Sequence, residues 1–407
     1  MASYDTIPKG AKLQPTKYNV SIPEEKLQQM KQLITLSPIG PETYENLQES
    51  RDFLDFGISR KWLANTKAEW EKYDWRAAEA HINSFPHFTL PVKDDDGRTY
   101  TIHFVALFST NPSAIPIAFF HGWPGSFLEF LPMLELLKKK YPSPDKLPYH
   151  IIVPSLPGYA FSDRPPKDHE WAGPDSARLM HKLLEALGFG ETGYAVQGGD
   201  VGSYIARSMA TTYDACKAIH LNFCPVLAKP DDVPESAIND EERKALARGE
   251  AFRNGGMGYV GMHATRPSTI GLVLSASPIA LLAWIGEKFL TWPDAPPSTA
   301  TILESVSLYW LTDTFPTSIH TYRHHNPPRG PKINFHTAAE NRVRNKPFGY
   351  SWFPKEIVPT PRAWAATTGD LIWHRQHSSG GHFAALERPE ALWGDMEEFV
   401  EQVWERK

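Results

Sequence analysis

The chain has 407 residues, of which 41% are hydrophobic and 12% aromatic, and its formal net charge is -5. This length allows one large domain or two closely associated ones, with enough apolar material for a sizeable core. The slight negative charge, and the lack of any basic run longer than the three lysines at 138–140, argue against a nucleic-acid partner.

Composition also argues against two further classes of protein. There are only two cysteines, Cys216 and Cys224, which is too few for a disulfide framework or a cysteine-based metal site. The N-terminal segment 1–20 is polar, and the longest apolar cluster, at 279–285, is far too short to cross a bilayer. We therefore expect a soluble, cytoplasmic protein without a membrane anchor.

The first hundred residues indicate an α-rich module. Leu27, Met30 and Ile34 would lie on one face of a helix that follows Pro23. A second helix is predicted from residue 59 to about residue 82. We interpret the tryptophans along it as packing side chains rather than as part of a cofactor site.

The pattern then changes to that of a sheet. An Asp-Asp-Asp-Gly turn at 94–97 predicts a β-hairpin of residues 88–92 and 100–108. Short apolar strands are predicted at 115–120, 151–153, 194–197 and 218–223. Between two of them, Asp175 is predicted to cap a helix that ends at Gly188. Buried strands that alternate with helices predict a doubly wound, mostly parallel α/β sheet.

The sequence between about residue 225 and residue 331 has no convincing strand pattern. Helices are predicted there at 240–253, 278–290 and 299–311, as a lid over the carboxyl edge of the sheet. Strands resume at 348–353 and 364–372, and a last helix is predicted at 389–404. The predicted organisation is an N-terminal module wrapping the core (1–110), a first part of the core (111–225), a helical lid (226–334) and a second part of the core (335–407).

The most informative stretch is Gly-Gly-Asp-Val-Gly at 198–202. It follows a short strand and precedes a helical segment, which is the context of the nucleophile elbow of α/β-hydrolases. Most such elbows have serine at the centre, but this one has Asp200. A carboxylate that attacks carbon forms an ester, which must then be hydrolysed. The substrate should therefore offer an sp³ carbon with a leaving group. Taken alone, Asp200 could equally be a turn or cap residue.

The segment His-Gly-Trp-Pro-Gly at 121–125 directly follows a predicted strand. A loop in that position can aim backbone N–H groups at a developing oxyanion, although the same residues also form ordinary turns. In combination with Asp200, the segment favours an oxyanion hole made of the amides of Trp123 and Val201.

Hydrolysis of an ester requires a base, which α/β-hydrolases place last in chain order. His382 has that position, in a glycine-rich loop after the last predicted strand, and His374 and His377 are its competitors. The base needs an acid that orients it and stabilises its cation. Glu356, at the end of a predicted strand, is preferred for this role, and Asp370 is the alternative.

A leaving oxygen would need a proton donor, and tyrosine stays protonated at neutral pH because its pKa is about 10. Tyr259 and Tyr322 lie in the helical insertion, but spacing alone does not select them from 15 tyrosines, and lid packing is the alternative. His324 and His325 have no further ligands at useful spacing. We therefore expect neither a metal nor a cofactor.

These segments together resemble the microsomal-type epoxide hydrolase family, in its soluble fungal branch. The likeness covers nearly the whole chain and includes Asp-Trp-Arg at 74–76, Asn-Ser-Phe-Pro at 83–86, His-Gly-Trp-Pro-Gly-Ser at 121–126, Pro-Ser-Leu-Pro-Gly-Tyr at 154–159, the elbow at 198–203, Thr-Arg-Pro-Ser-Thr-Ile-Gly at 265–271 and Gly-Gly-His-Phe-Ala-Ala-Leu-Glu at 380–387. The resemblance implies an α/β-hydrolase fold with Asp200 as nucleophile, His382 as base and Glu356 as its acid partner. It also implies that Tyr259 and Tyr322 donate to the epoxide oxygen.

The resulting hypothesis is an enzyme that converts hydrophobic epoxides and water to vicinal diols through an ester on Asp200. One alternative is a haloalkane dehalogenase, which commonly has a tryptophan after the nucleophile, where this chain has Val201. The other is a catalytically silent α/β-hydrolase that acts as a small-molecule receptor. The N-terminal module could wrap the core or pair with a second subunit, so a homodimer is left open.

Overall fold

One mixed sheet organises the protein. The structure is a computed structural model that describes residues 3–49, 52–325 and 335–404. Within these ranges nine strands pair in the order β1-β2-β3-β5-β4-β6-β7-β8-β9. They are β1 (Thr16–Tyr18), β2 (His87–Lys93), β3 (Thr99–Leu107), β4 (Ile115–Phe120), β5 (Tyr149–Pro154), β6 (Tyr194–Gly198), β7 (Cys216–Leu221), β8 (Val343–Trp352) and β9 (Gly369–Gln376).

The sheet is mostly parallel, as predicted. The six strands from β5 to β9 in spatial order run parallel to one another, whereas β1, β2 and β3 add an antiparallel extension beyond β5. Every residue of β4 and β5 is buried, because helices cover both faces of the central sheet. The predicted hairpin is confirmed in β2 and β3.

The N-terminal helices are α1 (Glu24–Leu36), α2 (Arg60–Trp70) and α3 (Trp75–Ile82). The predicted apolar face of α1 is buried. The single helix predicted from 59 to 82 is wrong, since the Asp74 carboxylate accepts the N–H groups of Arg76 and Ala77 and starts a new helix. Trp70 and Trp75, on either side of the break, are buried as expected for packing side chains.

The helices of the first part of the sheet are α4 (Leu131–Lys140), α5 (Gly173–Ala186), α6 (Phe189–Thr192) and α7 (Asp200–Thr212). Asp175 caps α5 as predicted, but from the third position of the helix rather than as the residue that precedes it. Pro174 is tolerated in a first turn, so the helix begins earlier, and Asp175 accepts the N–H of Ala172 from within that turn at 2.8 Å. Gly188, with φ of 92°, lies just beyond the end of α5.

Seven helices follow β7 in the described part of the segment before β8. They are α8 (Asp240–Ala251), α9 (Gly258–Thr265), α10 (Pro267–Leu274), α11 (Pro278–Thr291), α12 (Thr299–Leu311), α13 (Phe315–Ser318) and α14 (Thr321–His325). We call these helices the insertion. The three helices predicted there are present as α8, α11 and α12. Tyr309 of α12 donates to the Gly125 carbonyl at 2.9 Å, and Tyr159 donates to the Ser318 carbonyl at 2.8 Å. These bonds hold the insertion over the carboxyl ends of the strands.

The chain closes with α15 (Arg362–Ala365), α16 (Ala384–Glu387) and α17 (Pro389–Val403). The prediction that the last strand begins at residue 364 is wrong, because Pro361 starts the helical turn of α15 and β9 begins only at Gly369. The final helix is confirmed. The division into four segments stays a prediction, and its boundary at 334 lies outside the described residues.

α10 and α11 are the most apolar neighbouring helices of the insertion. Over the ranges that the structure describes, no single helix has the length and apolarity to cross a membrane, and these two reach that length only as a pair bent by 116°. α11 buries nine of its residues, among them Leu281, Leu282 and Ile285.

Gly202→Ala should destabilise the fold, because α7 lies against β4 at this position. A Cβ on Gly202 would be 2.1 Å from the Phe120 carbonyl oxygen, so helix and strand would have to separate. We expect a loss of about 1–3 kcal/mol in the free energy of unfolding, measured by chemical denaturation. Gly261→Ala is the matched control, since Gly261 is also helical but has open space around it. It should gain about 0.5–1 kcal/mol, and equal stabilities of the two variants would contradict the packing argument.

Candidate active site

The turn between β6 and α7 holds Asp200 in a strained conformation. Asp200 has φ of 41°, a left-handed value that non-glycine residues rarely adopt. The turn is tight, because a Cβ on Gly198 would be 2.3 Å from the Gly202 carbonyl oxygen. The predicted elbow is therefore present, and it presents the Asp200 side chain at the carboxyl end of the sheet.

The Asp200 carboxylate meets the loop at 121–125. The Trp123 N–H donates to Asp200 Oδ1 at 2.7 Å. Gly122 permits this approach, since a Cβ there would be 2.2 Å from the same oxygen. Val201 lies in the first turn of α7, where N–H groups have no acceptor within the helix. Backbone donors from two elements are thus available around one carboxylate.

His382 and Glu356 complete a buried chain of polar groups. His382 Nε2 lies 3.4 Å from Asp200 Oδ2, and its Nδ1 lies 2.6 Å from Glu356 Oε1. The His382 and Glu356 side chains are each 1% exposed. The Ile357 N–H also donates to Glu356 Oε1 at 2.6 Å, which fixes the carboxylate toward the ring.

The two carboxylates make the His382 imidazole strongly basic. Burial by itself favours the neutral ring, but the charges of Glu356 and Asp200 outweigh it and raise the pKa of His382 to about 10. The ring is therefore cationic at neutral pH. Loss of the Asp200 charge would remove one of the two interactions that hold this proton.

The loop that carries His382 is bound to the insertion. The His382 N–H donates to the Trp292 carbonyl at 3.3 Å, and the Trp292 ring stands edge-on to the imidazole, with ring centres 4.9 Å apart. The Gly380 N–H donates to Asp294 Oδ2 at 2.9 Å. His382 is thus positioned by the end of α11 as well as by the sheet.

The competing candidates lie elsewhere. Asp370 is at the start of β9, where it accepts the Asn345 N–H at 2.7 Å. His377 Nε2 lies 2.6 Å from Asp395 Oδ2, in a separate cluster. His374 is held neutral, because burial lowers its pKa to about 4. The structure therefore brings His382 and Glu356 to Asp200, and not their rivals.

Tyr259 of α9 and Tyr322 of α14 are neighbours under the insertion. Their ring centres are 5.7 Å apart, and the Trp123 ring stacks on Tyr259 at 5.3 Å and meets Tyr322 edge-on at 5.9 Å. Burial first, and also the Asp200 charge, raise the pKa of both tyrosines well above 10. Both phenols therefore remain proton donors at neutral pH.

A carboxyl group that the sequence analysis missed lies beside Asp200. Glu129 lines a small cavity together with Asp200, His382 and Asn222. About 20 Å³ of this cavity is open to the centre of a water molecule, which is room for one water. Burial raises the pKa of Glu129 to about 8, so the group is mostly neutral at pH 7. The available signal was a single carboxylate within the apolar run at 127–131.

Over the described residues, no group of three or more histidine, cysteine, aspartate or glutamate side chains is arranged to hold an ion. His324 lies in α14, and the side chain of His325 is outside the described part of the chain.

Fold and site together define an α/β-hydrolase with aspartate in the position of the nucleophile. The family model for the alpha/beta hydrolase fold matches residues 115–242, and the model for the epoxide hydrolase N terminus matches residues 15–130. The chain belongs to the epoxide hydrolase family, of the microsomal type that its motifs predict.

Similar proteins agree with this assignment. The chain is 47% identical, over its full length and 94% of the relative, to a protein of Dothistroma septosporum that bears an epoxide hydrolase name. It is 30% identical to epoxide hydrolase 1 of Sus scrofa, over 94% of this chain and 88% of that protein. The structure of Aspergillus niger epoxide hydrolase matches with a TM-score of 0.91 and 49% identity, over 98% of this chain and 100% of that one. The predicted fold and family are confirmed.

The ionisation of His382 should make stability depend on pH. Because the pKa of His382 is raised from 6.5 to about 10 on folding, the native state holds an extra proton between these values. The contribution of His382 to the free energy of unfolding should be complete below pH 6.5 and should fall, by up to about 1.4 kcal/mol per pH unit, as the pH rises toward 10. Denaturation of the wild type and His382→Gln across this range isolates the effect. A difference between the two proteins that grows with pH would contradict it.

Proposed function

We propose that this protein hydrolyses hydrophobic epoxides to vicinal diols through a covalent ester on Asp200. The observation that carries the proposal is the proximity of two sets of groups. Asp200, His382 and Glu356 lie in connections that follow strands of the sheet. The rings of Tyr259 and Tyr322, from the insertion, pack on the Trp123 ring, whose backbone N–H donates to Asp200. The epoxide hydrolase names of the similar proteins support the same activity.

In the first half-reaction, Asp200 attacks one carbon of the epoxide ring. The new carbon–oxygen bond forms the ester while the ring carbon–oxygen bond breaks, and the released electron pair on oxygen takes a proton from a tyrosine. The negative charge therefore moves from Asp200 to a phenol. The aromatic rings of Trp123 and Trp292 around the tyrosines favour an apolar substituent on the epoxide.

Ester formation switches the state of His382. The imidazole is cationic while Asp200 is charged, so it cannot accept a proton. Conversion of Asp200 to a neutral ester removes one of the charges that raise its pKa. His382 can then release its proton, which restores the phenolate to a phenol, and act as a base. Glu356 stays behind to orient the ring and to stabilise its cation during the second step.

In the second half-reaction, water attacks the carbonyl carbon of the ester. The cavity beside Asp200 and His382 has room for this water, and Glu129, as a neutral carboxyl group, can both donate to it and accept from it. His382 takes the proton of the water. The amides of Trp123 and Val201 stabilise the oxyanion. The bond between the carbonyl carbon and the alkyl oxygen then breaks, the remaining proton of the water passes to that oxygen, and the diol leaves as Asp200 regains its carboxylate.

The alternative reactions fit less well. A haloalkane dehalogenase needs N–H donors for halide, and Val201 offers no side-chain donor at the position after the nucleophile. The buried indole N–H of Trp123 has no partner among the described residues, so it could serve as one donor to halide. Two phenols, however, suit a leaving oxygen better. A catalytically silent receptor does not require the row of polar side chains formed by Asp200, His382 and Glu356. Halide release from a haloalkane would favour the dehalogenase.

His382→Gln should trap the ester. The first half-reaction does not need the base, so incubation with styrene oxide should add the mass of one substrate molecule to the intact protein, while turnover of the wild type in heavy-oxygen water should place label in Asp200. His374→Gln is the control, because it removes a nearby histidine outside the site, and it should turn over without an adduct. Absence of the adduct from His382→Gln would count against the mechanism.

Glu129→Leu should slow hydrolysis of the ester and spare its formation. Loss of the group that positions the water should cost about 10-fold or more in the second step, measured by rapid quench and intact-mass analysis. Glu129→Gln keeps a neutral hydrogen-bonding group of the same shape, so at pH 7 it should remain within about 3-fold of the wild type. Equal hydrolysis rates for the leucine variant and the wild type would remove Glu129 from the mechanism.

A further inference from the structure

A buried lysine lies over one of the two tyrosines. Lys288 of α11 is 3% exposed, and its Nζ lies 5.1 Å from the centre of the Tyr259 ring and 5.4 Å from that of Trp284. Its ion-pair partner is Glu287, 2.6 Å away on a side chain that is 34% exposed. Neither half-reaction described above uses this cation.

Such a cation is costly to bury. Lysine is among the residues least often found fully buried, since its ammonium group loses hydration. The ion pair with Glu287 and the faces of two aromatic rings offset part of that loss. Burial lowers the pKa of Lys288, and the Glu287 carboxylate opposes this shift. The ammonium group is therefore held beside Glu287 and over the rings of Tyr259 and Trp284, and of these rings only that of Tyr259 can ionise.

The reaction places negative charge on that ring. As the epoxide opens, the proton of Tyr259 moves to the substrate oxygen, and the phenolate keeps the electron pair of the broken O–H bond. A cation over the ring attracts the neutral phenol weakly through its quadrupole, but it attracts the phenolate through a full charge. Such an interaction is stronger in the transition state than in the ground state, and so it increases the rate.

We propose that Lys288 is a positioning residue for ring opening, and that its ammonium group stabilises the phenolate which forms on Tyr259. This inference rests on the proposed function. It also makes the two tyrosines unequal: Tyr259 is the proton donor, whereas Tyr322, over which no lysine or arginine lies in the described chain, contributes a hydrogen bond.

The experiment measures ester formation alone. In the His382→Gln background the ester accumulates, so rapid quench and intact-mass analysis give the rate of the first half-reaction with styrene oxide. Lys288→Met keeps the length of the side chain and removes its charge, and it should slow this rate by about 10-fold. That is the effect of removing a unit charge roughly 6 Å from a half-developed charge at an effective dielectric constant of about 20. Lys288→Arg should restore the rate to within about 3-fold.

A double-mutant cycle distinguishes this role from a structural one. Combined with Tyr322→Phe, Lys288→Met should keep its full effect, whereas combined with Tyr259→Phe it should change the rate by less than 2-fold, because no phenolate remains to stabilise. With His382 intact, the same substitution should leave hydrolysis of the ester unchanged. Lys288→Gln is the second neutral variant if the methionine variant does not fold.

Three results would overturn the inference. Wild-type rates of ester formation in both neutral variants would do so, and so would an equal loss with and without Tyr259. If Tyr259→Phe itself forms the ester at the wild-type rate, the role of Tyr259 in the proposed function fails as well, and if no ester forms from any epoxide, the proposed function fails independently of Lys288.

Discussion

The backbone of Asp200 is kept at its left-handed φ by the close packing of α7 against β4 and β6. Glycine at 122, 198 and 202 removes the Cβ atoms that would otherwise collide with the carbonyl groups or with the carboxylate itself. The turn can then direct the side chain out of the sheet, within reach of the Trp123 amide and the His382 ring. Each other feature of the site is arranged around this carboxylate, and none could meet it if the helix began one turn earlier.

Charge explains the order of events at the site. Asp200, His382 and Glu356 form a row of opposite charges away from solvent, in which each ionised group stabilises its neighbour. Removal of the Asp200 charge makes His382 less basic, because the imidazole loses one of the two carboxylates that raise its pKa. In the proposed mechanism, His382 is thus inactive as a base until Asp200 has reacted, and the order of the two half-reactions follows from electrostatics.

The sequence predicted those parts of the fold that depend on local patterns. The elbow, the order of Glu356 and His382, and the strands β4 and β6 have such patterns. It failed where a single side chain decided the outcome, as with Asp74, whose cap divides one apparent helix into two. Helices α9, α10, α13 and α14 were not predicted, since short helices in an apolar insertion have no clear periodicity.

The site, like the fold, was predictable where its residues lie in local sequence motifs. Asp200, Trp123 and His382 lie in motifs, so their meeting could be expected. The two tyrosines are separated by more than sixty residues, and only the resemblance to a family selected them. Glu129 and Lys288 depend on burial for their properties, and burial of a charged side chain cannot be derived from the residues next to it in the chain.

In the proposed mechanism, the attachment of the loop that carries His382 to the end of α11 makes hydrolysis of the ester depend on the position of that helix. The carbonyl of Trp292 and the carboxylate of Asp294 hold the backbone on both sides of His382. In the proposed mechanism, a displacement of α11 would therefore move the imidazole relative to the ester on Asp200, so that hydrolysis depends on the place of a helix outside the sheet.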